Sequence, residues 1–74
     1  MTPDQLRKAL NELNGERACA FVFAGVPEPN TTLTVHRAML VPDEADHLVK
    51  VTDGQSIFII DAERVAAIRI GLSV

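Results

Sequence analysis

Residues 47–70 read HLVKVTDGQSIFIIDAERVAAIRI, and this stretch decides the fold. β-prone runs stand on either side of Asp53-Gly54, at 47–52 and 55–60. An Asp-Gly pair between such runs predicts a two-residue type I′ hairpin, whose twist matches that of the flanking strands. Asp61-Ala62-Glu63 then reads as a short turn, and 65–70 as a further strand ending at Gly71. The alternative for this last segment is a helix capped by Asp61 through Glu63, Ala66, Ala67 and Ile68, since alanine is the best helix former. Val65, Ile68 and Ile70 are β-branched and the segment is short, which favours the strand.

Upstream of this stretch, one helix and two more strands are expected. Thr2 suits an N-cap, Pro3 the first helical position, and Gln5 completes a capping box. Leu6, Ala9, Leu10 and Leu13 form one apolar stripe, and Asn14-Gly15 supplies a stop, so the helix is expected over 3–14. A strand over 17–24 has Cys19, Phe21 and Phe23 on one side and Ala18, Ala20, Val22 and Ala24 on the other. Both faces are apolar, which predicts burial on both sides or packing of the helix on one of them. Gly25 with Pro27 and Pro29 makes a loop. Residues 31–41 form a long strand in which Leu33, Val35, Met39 and Val41 share a face with Arg37 as the exception. Pro42-Asp43-Glu44 ends it.

With 74 residues the chain forms one domain, 1–74, mostly β with one N-terminal helix. So small a domain has a thin core, and assembly is the expected source of further burial. Its only cysteine, Cys19, excludes an internal disulfide and a cysteine-paired metal knuckle. No apolar run approaches the length of a membrane span, and Asp4, Glu12 and Glu16 interrupt any leader-like core. The chain therefore reads as cytoplasmic, with no membrane role and no cofactor.

Residues 31–70 thus run through a long second strand, an acidic loop, a third strand and a tight hairpin. A fourth strand through Ile59-Ile60, a one-turn corner at 61–64 and a closing strand with Val65 and Ile68 follow. With the N-terminal helix, this order resembles the Sm-like (LSm) small β-barrel family, and an SH3-like barrel shares the strand pattern. The resemblance implies a five-stranded antiparallel barrel and a homo-oligomeric ring. In that family the fourth strand of one copy pairs with the fifth of the next, which removes the open edges. Ile57, Ile59, Ile68 and Ile70 would carry that interface. The resemblance also implies RNA as a partner.

RNA-binding relatives place an Asp followed by Asn after the long strand, and Arg-Gly or Lys-His at the corner. The corresponding places here read Pro42-Asp43-Glu44-Ala45-Asp46-His47 and Asp61-Ala62-Glu63-Arg64. Asp43, Asp46 and Arg64 carry over, and two carboxylates stand at the corner. The formal charge is −3, the seven Lys and Arg are scattered, and Phe21, Phe23 and Phe58 read as core. Phosphate binding needs cations, which a ring can concentrate at a pore, so Arg64, Arg69 and Arg37 are the RNA-binding candidates. The cluster Asp43, Glu44, Asp46 and His47 lacks the glycine and spacing of a calcium loop and reads as an exposed acidic turn. His36 and His47 are too few for zinc. Cys19 lies within an apolar strand, where a thiol behaves as a small hydrophobe, so no catalytic residue is assigned and no enzyme is expected. Two functions remain open: an Sm-like ring that binds RNA, and a homo-oligomeric protein–protein module of the same fold.

Overall fold

The computed structural model describes residues 1–71. It contains one helix, α1 (Pro3–Leu10), and six strands: β1 (Cys19–Phe23), β2 (Thr32–Val35), β3 (Met39–Leu40), β4 (Val49–Thr52), β5 (Ile57–Ile60) and β6 (Val65–Ile70). A 3-10 turn, Ala62–Arg64, connects β5 to β6. Two antiparallel sheets result, ordered β2-β1-β6 and β3-β4-β5. No strand pairing among the described residues joins the sheets into a closed barrel. Leu6, Leu10, Phe21, Val35, Val49, Val51, Ile60 and Val65 fill the space between them. Among the described residues no helix is long and apolar enough to cross a membrane.

The helix starts where its cap demands. The Thr2 hydroxyl accepts from the Gln5 backbone N–H at 3.1 Å, and the Gln5 side chain accepts from the Thr2 N–H at 3.0 Å. It ends at Leu10, one turn short of the expected Asn14 stop. The next residues leave the helix because Leu13 N–H bonds to Leu10 O while Asn14 bridges to Met39. Gly15, at φ +89°, then donates to the Ala38 carbonyl. Leu13 stays buried, so the apolar stripe is preserved across the break.

The strand expected over 31–41 is two strands in different sheets. Arg37 adopts φ +52°, and this left-handed residue reverses the inward parity. Val35 and Ala38 are both buried although they stand three positions apart, which no regular strand permits. Before the break Leu33 and Val35 face the core. After it Ala38 and Leu40 do so, and Met39 turns out to 45% exposure. Pooling the two segments into one strand thus put Met39 on the wrong face. β1 also differs from expectation: Cys19 and Phe21 are fully buried, whereas Val22 and Ala24 are exposed. One face of β1 is therefore buried, not two.

The β4–β5 hairpin is wider than a two-residue turn. Thr52 pairs with Ile57, leaving Asp53, Gly54, Gln55 and Ser56 in the loop. Gly54 has φ +93°, but Asp53 does not share the positive φ that a type I′ turn requires. Instead the Asp53 carboxylate accepts from the N–H groups of Ser56 at 2.7 Å and Gln55 at 2.8 Å. These bonds, that from Ser56 foremost, hold its carboxyl below the usual range. A carboxyl with a lowered folded-state pKa stabilises the fold above its unfolded pKa of about 3.9 and loses that contribution as pH falls through the lower folded value. Asp53→Asn should therefore melt below the wild type at neutral pH, with the gap closing as the solution is acidified through and below that range. Thermal melts of both proteins across pH check this, and a gap independent of pH would refute it.

Candidate functional site

The acidic loop at 42–48 is held by two cations from outside it. Arg7, in the middle of α1, donates through Nη2 to the carbonyls of His47 at 2.6 Å and Leu48 at 3.2 Å, and lies 3.1 Å from Asp43 Oδ1. Lys50, on β4, donates to Glu44 Oε1 at 2.7 Å and Asp46 Oδ2 at 2.8 Å. Only 16% and 15% of these two side chains are exposed. The Asp46 carboxyl is pushed down chiefly by its hydrogen bond from Lys50 and next by the Leu48 N–H; Lys50 is pushed up chiefly by Asp46. His47 sits at φ +57°, with Nδ1 3.3 Å from both carboxylate oxygens of Asp43. The cluster read as an exposed acidic turn is exposed, and it is also stapled by these two cations.

The corner before β6 is built by its own cap. Asp61 accepts from the Glu63 N–H at 3.1 Å and lies 3.5 Å from Arg64 Nε. The ammonium group of Met1 donates to the Ala62 carbonyl at 3.0 Å, which fastens the start of the chain under this turn. Loop and corner face one another across the ends of β4 and β5. Between them lies a groove of about 470 Å³ lined by Pro3, His47, Leu48, Ile59, Ala62 and Glu63, among others. Its floor is apolar, and Leu48 and Ile59 are 46% and 62% exposed.

The three candidate arginines do not meet. Arg64 and Arg69 stand five residues apart on and before β6, about 16 Å at a strand's rise per residue. Arg64 lies at the Ala24 end, through Ala24 N–H to Arg64 O at 2.7 Å. Arg69 pairs with Ala20 at the other end, and Arg37 follows Val35 beyond that same end. Arg37 and Arg69 make no ion pair among the described residues, whereas Arg64 leans on Asp61. The interface candidates divide as well: Ile57 and Ile59 project from β5 at 62% exposure each, while Ile68 and Ile70 are half-buried against the core. Cys19 is fully buried, and burial pushes its thiol up to about 11, so it is neutral at ordinary pH. It pairs with Val35 and Ile70, and His36 is exposed in the turn beyond.

On the outer face of the β3-β4-β5 sheet the sequence reading named Ile57 and Ile59 and missed Met39 and Leu48. Register places Met39 beside Thr52 and Ile57, and Lys50 beside Ile59. Four of the large exposed hydrophobic residues, Met39, Leu48, Ile57 and Ile59, belong to this sheet or its immediate margin. A hydrophobe at position 48, out of phase with the buried Val49 and Val51, was the signal. No protein-family model, curated protein or solved structure matches this chain.

Proposed function

We propose that the chain is a homo-oligomeric protein-interaction module built on an Sm-like plan, its copies joined through β5 and β6. The carrying observation is that both strands are sheet edges and that β5 presents Ile57 and Ile59 to solvent. An unpaired edge with exposed apolar side chains is a template for another strand, and monomeric proteins blunt such edges with charged side chains or proline. Neither stands within β5, and β6 carries a single charge, Arg69. Taking β2 and β3 as the two halves of one bent strand puts β5 and β6 at opposite ends of the strand order. That is the arrangement through which the resemblance would close a ring. The reading carries the expectation of a cytoplasmic protein with no cofactor and no catalytic residue. RNA is the less favoured partner, since the arginines diverge and carboxylates line the corner, which repels phosphate.

Size-exclusion chromatography with light scattering and refractive-index detection tests this, because a chain without Trp or Tyr hardly absorbs at 280 nm. One discrete oligomer free of absorbance at 260 nm is expected. Ile57→Lys with Ile59→Lys should give a folded monomer, since both side chains lie outside the core. A monomeric wild type, or an assembled double variant, would overturn the reading. Nuclease-sensitive absorbance at 260 nm would instead carry the RNA-binding ring through Arg37, Arg64 and Arg69.

A further inference from the structure

Asn14 and Gly15 stand where the chain passes from α1 to β1, and together they set an electrophile beside a nucleophile. Asn14 is exposed, and its Oδ1 accepts from the Glu16 N–H at 3.2 Å. That bond folds the side chain over the Gly15 peptide, which brings the Asn14 carboxamide carbon toward the Gly15 nitrogen and polarises its carbonyl. Glycine has no Cβ to hinder attack by its own nitrogen. One contact opposes the reaction: the Gly15 N–H donates to the Ala38 carbonyl at 3.0 Å. The nitrogen attacks only after losing its proton, and a proton held in that bond is harder to remove. Asn14 also bridges to Met39 of β3, so the segment is tied twice to the edge of the β3-β4-β5 sheet. The other asparagines, Asn11 and Asn30, precede Glu12 and Thr31, whose side chains crowd the following nitrogen. Asp53-Gly54 resembles the pair in sequence only. Its carboxylate accepts from the N–H groups of Ser56 and Gln55, which keep it ionised and a poor electrophile.

We propose that Asn14 is a site of spontaneous covalent modification, converting to aspartate or isoaspartate when the bond between Gly15 N–H and the Ala38 carbonyl opens. Hydroxide takes the Gly15 amide proton, the nitrogen attacks Asn14 Cγ, and the carboxamide nitrogen leaves as ammonia. Water then opens the cyclic succinimide. Attack at the side-chain carbonyl leaves aspartate; attack at the main-chain carbonyl leaves isoaspartate, whose side-chain carbon has entered the backbone. Aspartate keeps both the backbone and an acceptor for the Glu16 N–H. Isoaspartate lengthens the path between Leu13 and Gly15, so the Gly15 bond to Ala38 and the bridge to Met39 lose their register and the segment does not reclose. The native fold therefore guards the site and permanently marks a chain that has opened there. The proposal goes beyond the assembly reading and does not rest on it, because one chain holds both the reacting groups and the guard.

The test is incubation of the full chain at mildly alkaline pH, in buffer and in urea sufficient to unfold it, followed by peptide mapping with mass spectrometry. Enzymatic carboxyl methylation reads isoaspartate separately from aspartate. In urea, conversion is expected at Asn14 ahead of Asn11 and Asn30, with isoaspartate among the products. In buffer the same conversion should be slower by about tenfold or more, set by the population of the opened segment, and should rise with pH. Asn14→Asp, which reproduces the aspartate product, should melt with the wild type, whereas the isolated isoaspartyl fraction should melt below it. Light scattering on the buffer samples reports assembly separately, so a failure of either reading is recognised. Absence of conversion in urea, earlier conversion at Asn11, Asn30 or Asp53, equal rates in buffer and urea, or an isoaspartyl fraction that melts with the wild type would each overturn the proposal.

Discussion

Phe21→Ala is expected to destabilise the chain by about 3–5 kcal/mol. Phe21 has no exposed surface and lies in β1, the centre of its sheet, between Leu33 of β2 and Ile68 of β6. Its ring also stacks on Phe23 with centroids 6.3 Å apart. Truncating a buried phenylalanine costs about 3–5 kcal/mol in lost burial and residual cavity. At the average stability per residue, a chain of this length holds only about 4–11 kcal/mol in total. The deletion therefore removes a large share of the stability, and the site has little freedom to collapse because strands flank it on both sides. Urea unfolding followed by circular dichroism measures the loss. Val22→Ala, one residue away on the exposed face, is the control and should stay within about 0.5 kcal/mol of wild type. A Phe21→Ala protein with a cooperative transition within about 1 kcal/mol of wild type would show that the core lies elsewhere.

That contrast between neighbouring positions marks what the sequence could and could not reveal. Local chemistry acts over a few residues, so the Thr2–Gln5 capping box and the turn at Asp53-Gly54 were legible from composition and spacing. The mostly-β character with one helix followed from the same signals. Face assignment is harder, because it rests on an unbroken alternation. One left-handed residue, Arg37, broke it, and arginine is not the residue that advertises a positive φ. The alanines at 18 and 20 misled differently: they made both faces of β1 look apolar, although small side chains also occur on an exposed sheet face. The groove was illegible for another reason. Its walls come from Pro3, from 47–49 and from 59–63, and only the packing of α1 beside β4 and the 3-10 turn brings them together. Likewise, nothing in the spacing of Asp43, Glu44 and Asp46 announces that their counter-charges are Arg7, far upstream, and Lys50.

Arg7→Ala should consequently do more than remove one charge from a helix. The guanidinium is the link between α1 and the acidic loop, bonded to two carbonyls and to Asp43, with Asp4 Oδ1 3.6 Å away. Hydrogen bonds from a charged group contribute about 1.5–3 kcal/mol net. Part of the gain is offset, because Arg7 Nε is buried and finds no acceptor. A loss near the low end, about 2 kcal/mol, is expected, which corresponds to a melting temperature lower by about 8–16 °C in a domain of this size. The loop should loosen with it, because Arg7 restrains the carbonyl of His47, which holds a positive φ of 57°. Faster amide exchange at His47 and Leu48 is the corresponding readout. Arg7→Lys separates charge from geometry: an ammonium can neutralise Asp43 but lacks the second nitrogen with which the guanidinium, Nη2 being on the carbonyls and Asp43, also turns Nη1 toward Asp4, so it should recover only part of the loss. If Arg7→Ala melts within about 2 °C of wild type, the loop does not depend on this link and is held by Lys50 alone. The loop side of the groove would then be set by β4 and not by the helix, and the two substitutions Arg7→Ala and Lys50→Ala compared side by side would say which element shapes it.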